Sequence, residues 1–238
     1  GSGGRCCYCM KTIDEDHTTL EHIIPNKVAN QEAYDEYKKF YTNAGWNKIV
    51  FAPSFLEHPC WPNTAYPHTV AYENLVPSCN GKFADTRTAE QIANHVPDTR
   101  ESKCCNNRRG SKYVIPFILK EEMVKQFEYR RDGFVFWSVP DNIQGEKRKE
   151  LLKQHKETID HLQLNCPELV AIRRIWCFLA SQGKNCSEQE KDRTILYLTE
   201  DNSLSCAEHN MLNNFFQSNY WGLLKDYEYF NDIHKFIV

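Results

Sequence analysis

Eleven cysteines in a chain of 238 residues constrain this fold more than any other feature, because they are tightly grouped. Cys6, Cys7 and Cys9 stand together near the start, and Cys104 and Cys105 are adjacent. Cys60, Cys79, Cys166, Cys177, Cys186 and Cys206 are scattered. An odd number in this arrangement suits metal knuckles better than a disulfide framework, and the chain is long for a disulfide-stapled domain. Cys6-x-x-Cys9 has knuckle spacing. A structural zinc ion takes four tetrahedral thiolate or imidazole ligands. Cys6, Cys9, Cys79 and Cys105 supply them, with a long insertion between the last two. Cys6 is chosen over Cys7 because it keeps the two-residue spacing, and Cys105 over Cys104 because it directly precedes Asn106. Free buried cysteines are the competing reading. Reduced thiols imply a cytoplasmic location.

Composition sets looser bounds. Hydrophobic residues make up 41% and charged residues 26% of the chain, ordinary for a globular protein of one large or two small domains. Gly1–Gly4 reads as a linker and is left out of the fold. No apolar run reaches the length of a membrane span, so no membrane partner is expected. Net charge is −3. A protein that grips nucleic acid alone carries a broad basic footprint; here only a local one is present.

The chain divides into residues 5–140, which hold the knuckles, and residues 141–238, which are mainly helical. In the first part, "VANQEAYDEYKKFY" (28–41) reads as a short helix. Residues 44–68 are irregular and aromatic, and "TRTAEQIANH" (86–95) reads as a small helix. "KYVIPFIL" and "FEYRRDGFVFWSV" read as β runs, with "RDG" as a hairpin turn. In the second part, "GEKRKELLKQHKETIDHLQL" is amphipathic. "CPELVAIRRIWCFLAS" has Pro167 in its first turn and Gly183 past its end. Ser187 and Glu190 form a candidate capping box. His95, His155, His161, His209 and His234 read as helix-surface residues. The aromatic runs "FFQSNYWGLL" and "DYEYF" suit either core packing or partner docking.

"TTLEHIIP" (18–25) reads as a strand stopped by Pro25, with an ionisable pair, Glu21-His22, inside an apolar run. One reading is a partly exposed strand with a satisfied histidine. The other is a metal ligand beside a general base. A second cluster, Lys103, Arg108, Arg109 and Lys112, contains no acid. It reads either as a solvated charge run or as a set of phosphate contacts.

Cys-x-x-Cys, "EHIIP", "ENLVPSC" and "CNNRRG", in that order, resemble the HNH endonuclease family. The resemblance implies an α+β fold: a zinc-stapled ββα-metal HNH core followed by a mainly helical C-terminal subdomain. "IPF", the "DG" hairpin and "LQLNCPELVAIRR" extend the likeness to the HNH nucleases of Septu and retron-associated antiphage systems. It implies a nuclease that cuts DNA and works with an ABC-type ATPase partner.

The resemblance also assigns roles. His22 is the general base, and Glu21 is a ligand of the catalytic metal. Asn106 is the second ligand, with Asn80 as its rival. Asn74 bonds across the hairpin to hold the His22 strand. A carboxylate and an amide oxygen form a hard site that favours Mg²⁺ or Mn²⁺. Glu21 stands where the family often has Asp. That is the one feature favouring the alternative, a zinc-stabilised binding module with a degenerate site.

Overall fold

A computed structural model describes residues 3–14, 18–23, 31–43, 74–81, 93–94, 103–110, 112–115, 126–217 and 220–237. The fold is mixed α+β, with two small sheets and several helices. The aromatic stretch 44–68 and nearly all of the helix expected at 86–95 lie outside the described residues.

The first sheet joins β1 (Thr18–His22) to β2 (Leu75–Cys79) in antiparallel register, with Thr18 opposite Cys79 and His22 opposite Leu75. Ile23 N–H donates to the Asn74 carbonyl at 2.8 Å and extends the ladder by one step. Two strands alone are marginal in water, so this pair depends on what covers it. The N-terminal knuckle does so: Cys7 N–H donates to the Pro77 carbonyl at 2.9 Å. That knuckle is itself a tight turn, closed by Cys6 N–H to Lys11 O (2.8 Å) and Met10 N–H to Cys6 O (3.2 Å). Helix α1 (Gln31–Asn43) sets Tyr37 and Phe40 against Tyr113, with ring centroids 4.5 and 4.9 Å apart. A four-residue helix, α2 (Asn106–Arg109), follows Cys105.

The second sheet has the order β4-β3-β5. The expected hairpin forms between β3 (Phe127–Arg130) and β4 (Val135–Trp137). Its alternation buries Phe127, Tyr129, Val135 and Trp137, and turns Arg130 and Phe136 outward. Gly133 has φ +88°, and a Cβ there would lie 2.2 Å from the Val170 carbonyl. Only glycine fits both limits. β5 (Phe236–Ile237) pairs in parallel with β3 and carries the end of the chain across the 140/141 division.

Helices α3 (Gly145–His161), α4 (Pro167–Ser181), α5 (Glu188–Glu200) and α6 (Cys206–Gln217) match the periodic segments of the second part. Helix α4 is central. Leu169, Ile172, Ile175, Trp176 and Leu179 are all buried, so the helix is covered on several sides. Pro167 opens it, and Trp176 Nε1 donates to the Leu224 carbonyl at 2.9 Å. A 3-10 segment, Tyr220–Phe230, completes the layer, burying Trp221, Leu224, Tyr227 and Phe230. These aromatics are therefore core. One continuous core runs from Cys6 to Phe236.

Three local expectations are corrected. Lys112–Ile115 is irregular rather than a strand, and the Ile115 amide goes to Thr158 Oγ1 at 3.2 Å. Ser187 stands at the N-cap of α5 without a side-chain cap bond. The Glu190 carboxylate, the other half of the expected box, pairs instead with Lys184 at 2.6 Å. His155 is not a surface residue. It is 3% exposed and stacks on Trp137, with centroids 4.0 Å apart and planes at 8°.

Burial pulls the His155 imidazole down to about 4, against a hydrogen bond with the Trp137 main chain that raises it. The unfolded chain, with an ordinary imidazole near 6.5, binds that proton first. Stability from the neutral ring is therefore complete above about pH 6.5 and is lost as pH falls toward 4, by about 3 kcal/mol in all. Urea unfolding at pH 7 and pH 4.5 should show this loss in the wild type. His155→Phe, which keeps the stack without the titration, should lose measurably less between the two pH values.

Candidate functional site

The four predicted thiols converge. The Sγ atoms of Cys6, Cys9, Cys79 and Cys105 all lie within 4.8 Å of one another, and all four residues are buried. Cys6 is 3.8 Å from Cys105, and Cys9 is 3.8 Å from Cys79. Zinc–sulfur bonds of ~2.3 Å in a regular tetrahedron place sulfurs ~3.8 Å apart. These separations are far beyond a disulfide bond. The donor set and its spacing fit a structural metal such as zinc. Cys104 stands beside the group, 3.5 Å from Cys105, and is not one of the four. Burial pushes Cys105 well above the usual thiol range. Burial also works to raise Cys9, but hydrogen bonds with Cys104, Cys105, Cys6 and Cys79 hold it well below that range.

Its second half is assembled across the insertion. Cys104 N–H donates to the Gly81 carbonyl at 3.0 Å, and Asn107 Nδ2 donates to the Asn80 carbonyl. Gly81 has φ +69°, and a Cβ there would lie 2.0 Å from the Cys104 carbonyl. Residues 79–81 and 103–105 therefore pack as closely as a continuous knuckle. Cys105 N–H donates to the Leu162 carbonyl at 2.9 Å, which anchors this half on the end of α3.

Beside the thiols, β1 and α2 bring Asn106 and Arg109 near enough to Glu21 to act on its carboxyl. Burial raises the Glu21 carboxyl above its ordinary range, opposed by Arg109, His22 and the Asn106 hydrogen bond. His22 is the last residue of β1 and half-buried. Asn74 is fully buried just before β2, and its carbonyl holds the Ile23 amide.

Among the four predicted phosphate contacts, Lys103, Arg108 and Lys112 are exposed around α2. Arg109 is a correction. It is 1% exposed, and its guanidinium faces inward. Nη1 donates to the His22 carbonyl at 2.5 Å, Nη2 to the Ile23 carbonyl, and Nε to the Lys112 carbonyl at 3.5 Å. Nη1 also lies 3.8 Å from Glu21 Oε2. A guanidinium so enclosed cannot present itself to an external phosphate. The signal was in the spacing: Asn106 and Arg109 are three apart on a helix and share a face. A face that meets β1 through Asn106 carries Arg109 with it.

Cys79→Ser should lose the bound zinc and fold poorly, whereas His22→Ala should keep both zinc and fold. Zinc per chain by elemental analysis and a thermal melt check this; equal zinc loss in both would refute the division. Gly81→Ala should lower the urea midpoint by an amount worth at least about 1 kcal/mol, because the added Cβ meets a carbonyl in a left-handed backbone.

No family model, no curated protein and no solved structure matches the chain.

Proposed function

We propose that this chain is a metal-dependent HNH endonuclease that hydrolyses DNA phosphodiester bonds. We further propose that it is the cytoplasmic nuclease subunit of an antiphage complex with an ABC-type ATPase. The observation that carries this reading is the meeting of Glu21, from a strand, with Asn106, from a short helix, beside a four-thiol group. Residues that are 85 positions apart have no local reason to pair. Turned toward one ion, the Glu21 carboxylate and the Asn106 amide oxygen would be two hard ligands, enough for Mg²⁺ or Mn²⁺, which keep several waters. Bound there, such an ion supplies charge neutralisation at phosphorus and stabilises the leaving oxygen.

In this reading each side chain has one task. Glu21 and Asn106 hold the ion. His22 takes a proton from the attacking water, a role suited to an imidazole because its ordinary pKa lies near neutral pH. Buried Asn74 keeps the strand end in place through its carbonyl bond to Ile23. Lys103, Arg108 and Lys112 contact backbone phosphates, which gives affinity without base specificity.

A second reading is supported by the 3.8 Å approach of Arg109 to Glu21. A carboxylate with a cation already beside it needs a metal less, as in a zinc-stabilised binding module with a degenerate HNH site.

Plasmid nicking by the zinc-loaded protein, with and without Mg²⁺ or Mn²⁺, tests the proposal. Wild type should nick only with added metal, and His22→Ala should be slower by roughly 10²- to 10⁴-fold. DNA binding without cutting, unchanged by added metal or by the ATPase, would favour the binding module. An RNA substrate in parallel reads the sugar preference.

A further inference from the structure

We infer that Arg109 is a positioning residue for the Glu21–His22 pair, and that it acts by holding a backbone bend at the end of β1. The inference rests on the nuclease reading and names a residue to which that reading gave a different task.

Consecutive carbonyls of an extended strand point to opposite sides. Here the carbonyls of His22 and Ile23 both accept from one guanidinium. The chain bends at Ile23, where β1 has already ended. Arg109 bridges that bend. The same group reaches the Glu21 carboxylate at 3.8 Å and the Lys112 carbonyl at 3.5 Å. One side chain therefore touches the residue before His22, His22 itself and the residue after it.

The energetics explain why the clamp is arginine. Burying a cation is unfavourable unless its protons are taken up. The planar fork offers five N–H donors in fixed directions. Three carbonyls and a carboxylate stand around it. A lysine in the same place presents a point charge and cannot fix two carbonyls in one plane. Helix α2 has only four residues, so its angle to β1 is set by what it holds. Asn106 lies near Glu21 at one end of the helix, and Arg109 grips the backbone of His22 and Ile23 at the other. Together they tie a general base and a metal ligand to one helix face. Without Arg109 the Asn74 carbonyl still holds the Ile23 amide, but the His22 and Ile23 carbonyls lose the guanidinium they share.

The bend explains how neighbouring residues serve one centre. Glu21 and His22 would diverge on a straight strand. A turn just past His22 lets the imidazole and the carboxylate address one centre.

Arg109→Gln, Arg109→Lys and Arg108→Gln, each made in the full chain, test this. Zinc per chain and thermal melts are measured first, then nicking kinetics with Mn²⁺, then amide exchange without the divalent ion. Arg109→Gln should keep zinc and lower kcat on the order of 10²-fold with KM for DNA unchanged, the cost of a misplaced reacting group. The Ile23 amide should exchange at least about tenfold faster, while the Cys7 amide, held by Pro77 in the knuckle, stays protected. Arg109→Lys should recover part of kcat. Arg108→Gln should raise KM and leave kcat alone.

An Arg109→Gln variant that cuts like wild type, or that changes only KM, would overturn the inference and leave the nuclease intact. Loss of zinc in both Arg109 variants would reduce Arg109 to scaffold and overturn it as well. A wild type that does not cut under any condition, with Ile23 exchange unchanged in the variant, would remove both readings.

Discussion

Four thiols held within 4.8 Å of one another organise the first half of this protein. They come from three places in the chain that are otherwise weakly tied: a short N-terminal turn, the end of β2, and the residue before α2. The strand pair is too small to be stable alone, and α2 is too short to be a helix by propensity. Gathering the four sulfurs brings all three pieces to one point. A metal such as zinc in that nest would convert loop closure across a long insertion into a fixed junction. Asn106 follows Cys105 directly, and Glu21 and His22 lie on β1, which pairs with the strand that Cys79 ends.

The helical second part supports that junction directly. Leu162, just past α3, takes the amide of Cys105. Asp226 takes the Thr12 amide at 2.7 Å and stands 3.4 Å from Lys11. Buried Arg173 reaches from α4 to the Gly133 and Leu164 carbonyls, at 2.9 and 2.5 Å, and so ties the hairpin turn to the core. Asn165 closes the open side of β4 by bonding both the N–H and the carbonyl of Val135 at 2.9 Å. Buried arginines thus recur as backbone clamps: Arg109 for the site, Arg173 for the hairpin. In both, a planar donor fork collects two main-chain carbonyls at once.

Some features were legible because they depend on residues near in sequence. The four long helices, the "RDG" hairpin and the strand at Glu21-His22 follow from periodicity and turn chemistry. Metal-knuckle spacing, with the adjacent asparagine deciding between Cys104 and Cys105, picked out the same four cysteines that converge. Other features were hidden. β5 is two residues long and becomes a strand only because β3 lies beside it. His155 has the polar neighbours of a surface helix, yet Trp137 from another element covers it. Ser187 and Glu190 have the spacing of a capping box, but Lys184 competes for the glutamate.

The sequence by itself determined which four cysteines gather and the local elements that carry them. Those are matters of residue type and spacing, and short-range sterics act on them before the chain folds. Tertiary structure decided orientation and burial. It turned Arg109 from an apparent phosphate contact into an internal clamp, because β1 presents two carbonyls and a carboxylate to that face of α2. A charge can be read from a sequence. Whether it meets water or a carbonyl depends on segments far away in the chain.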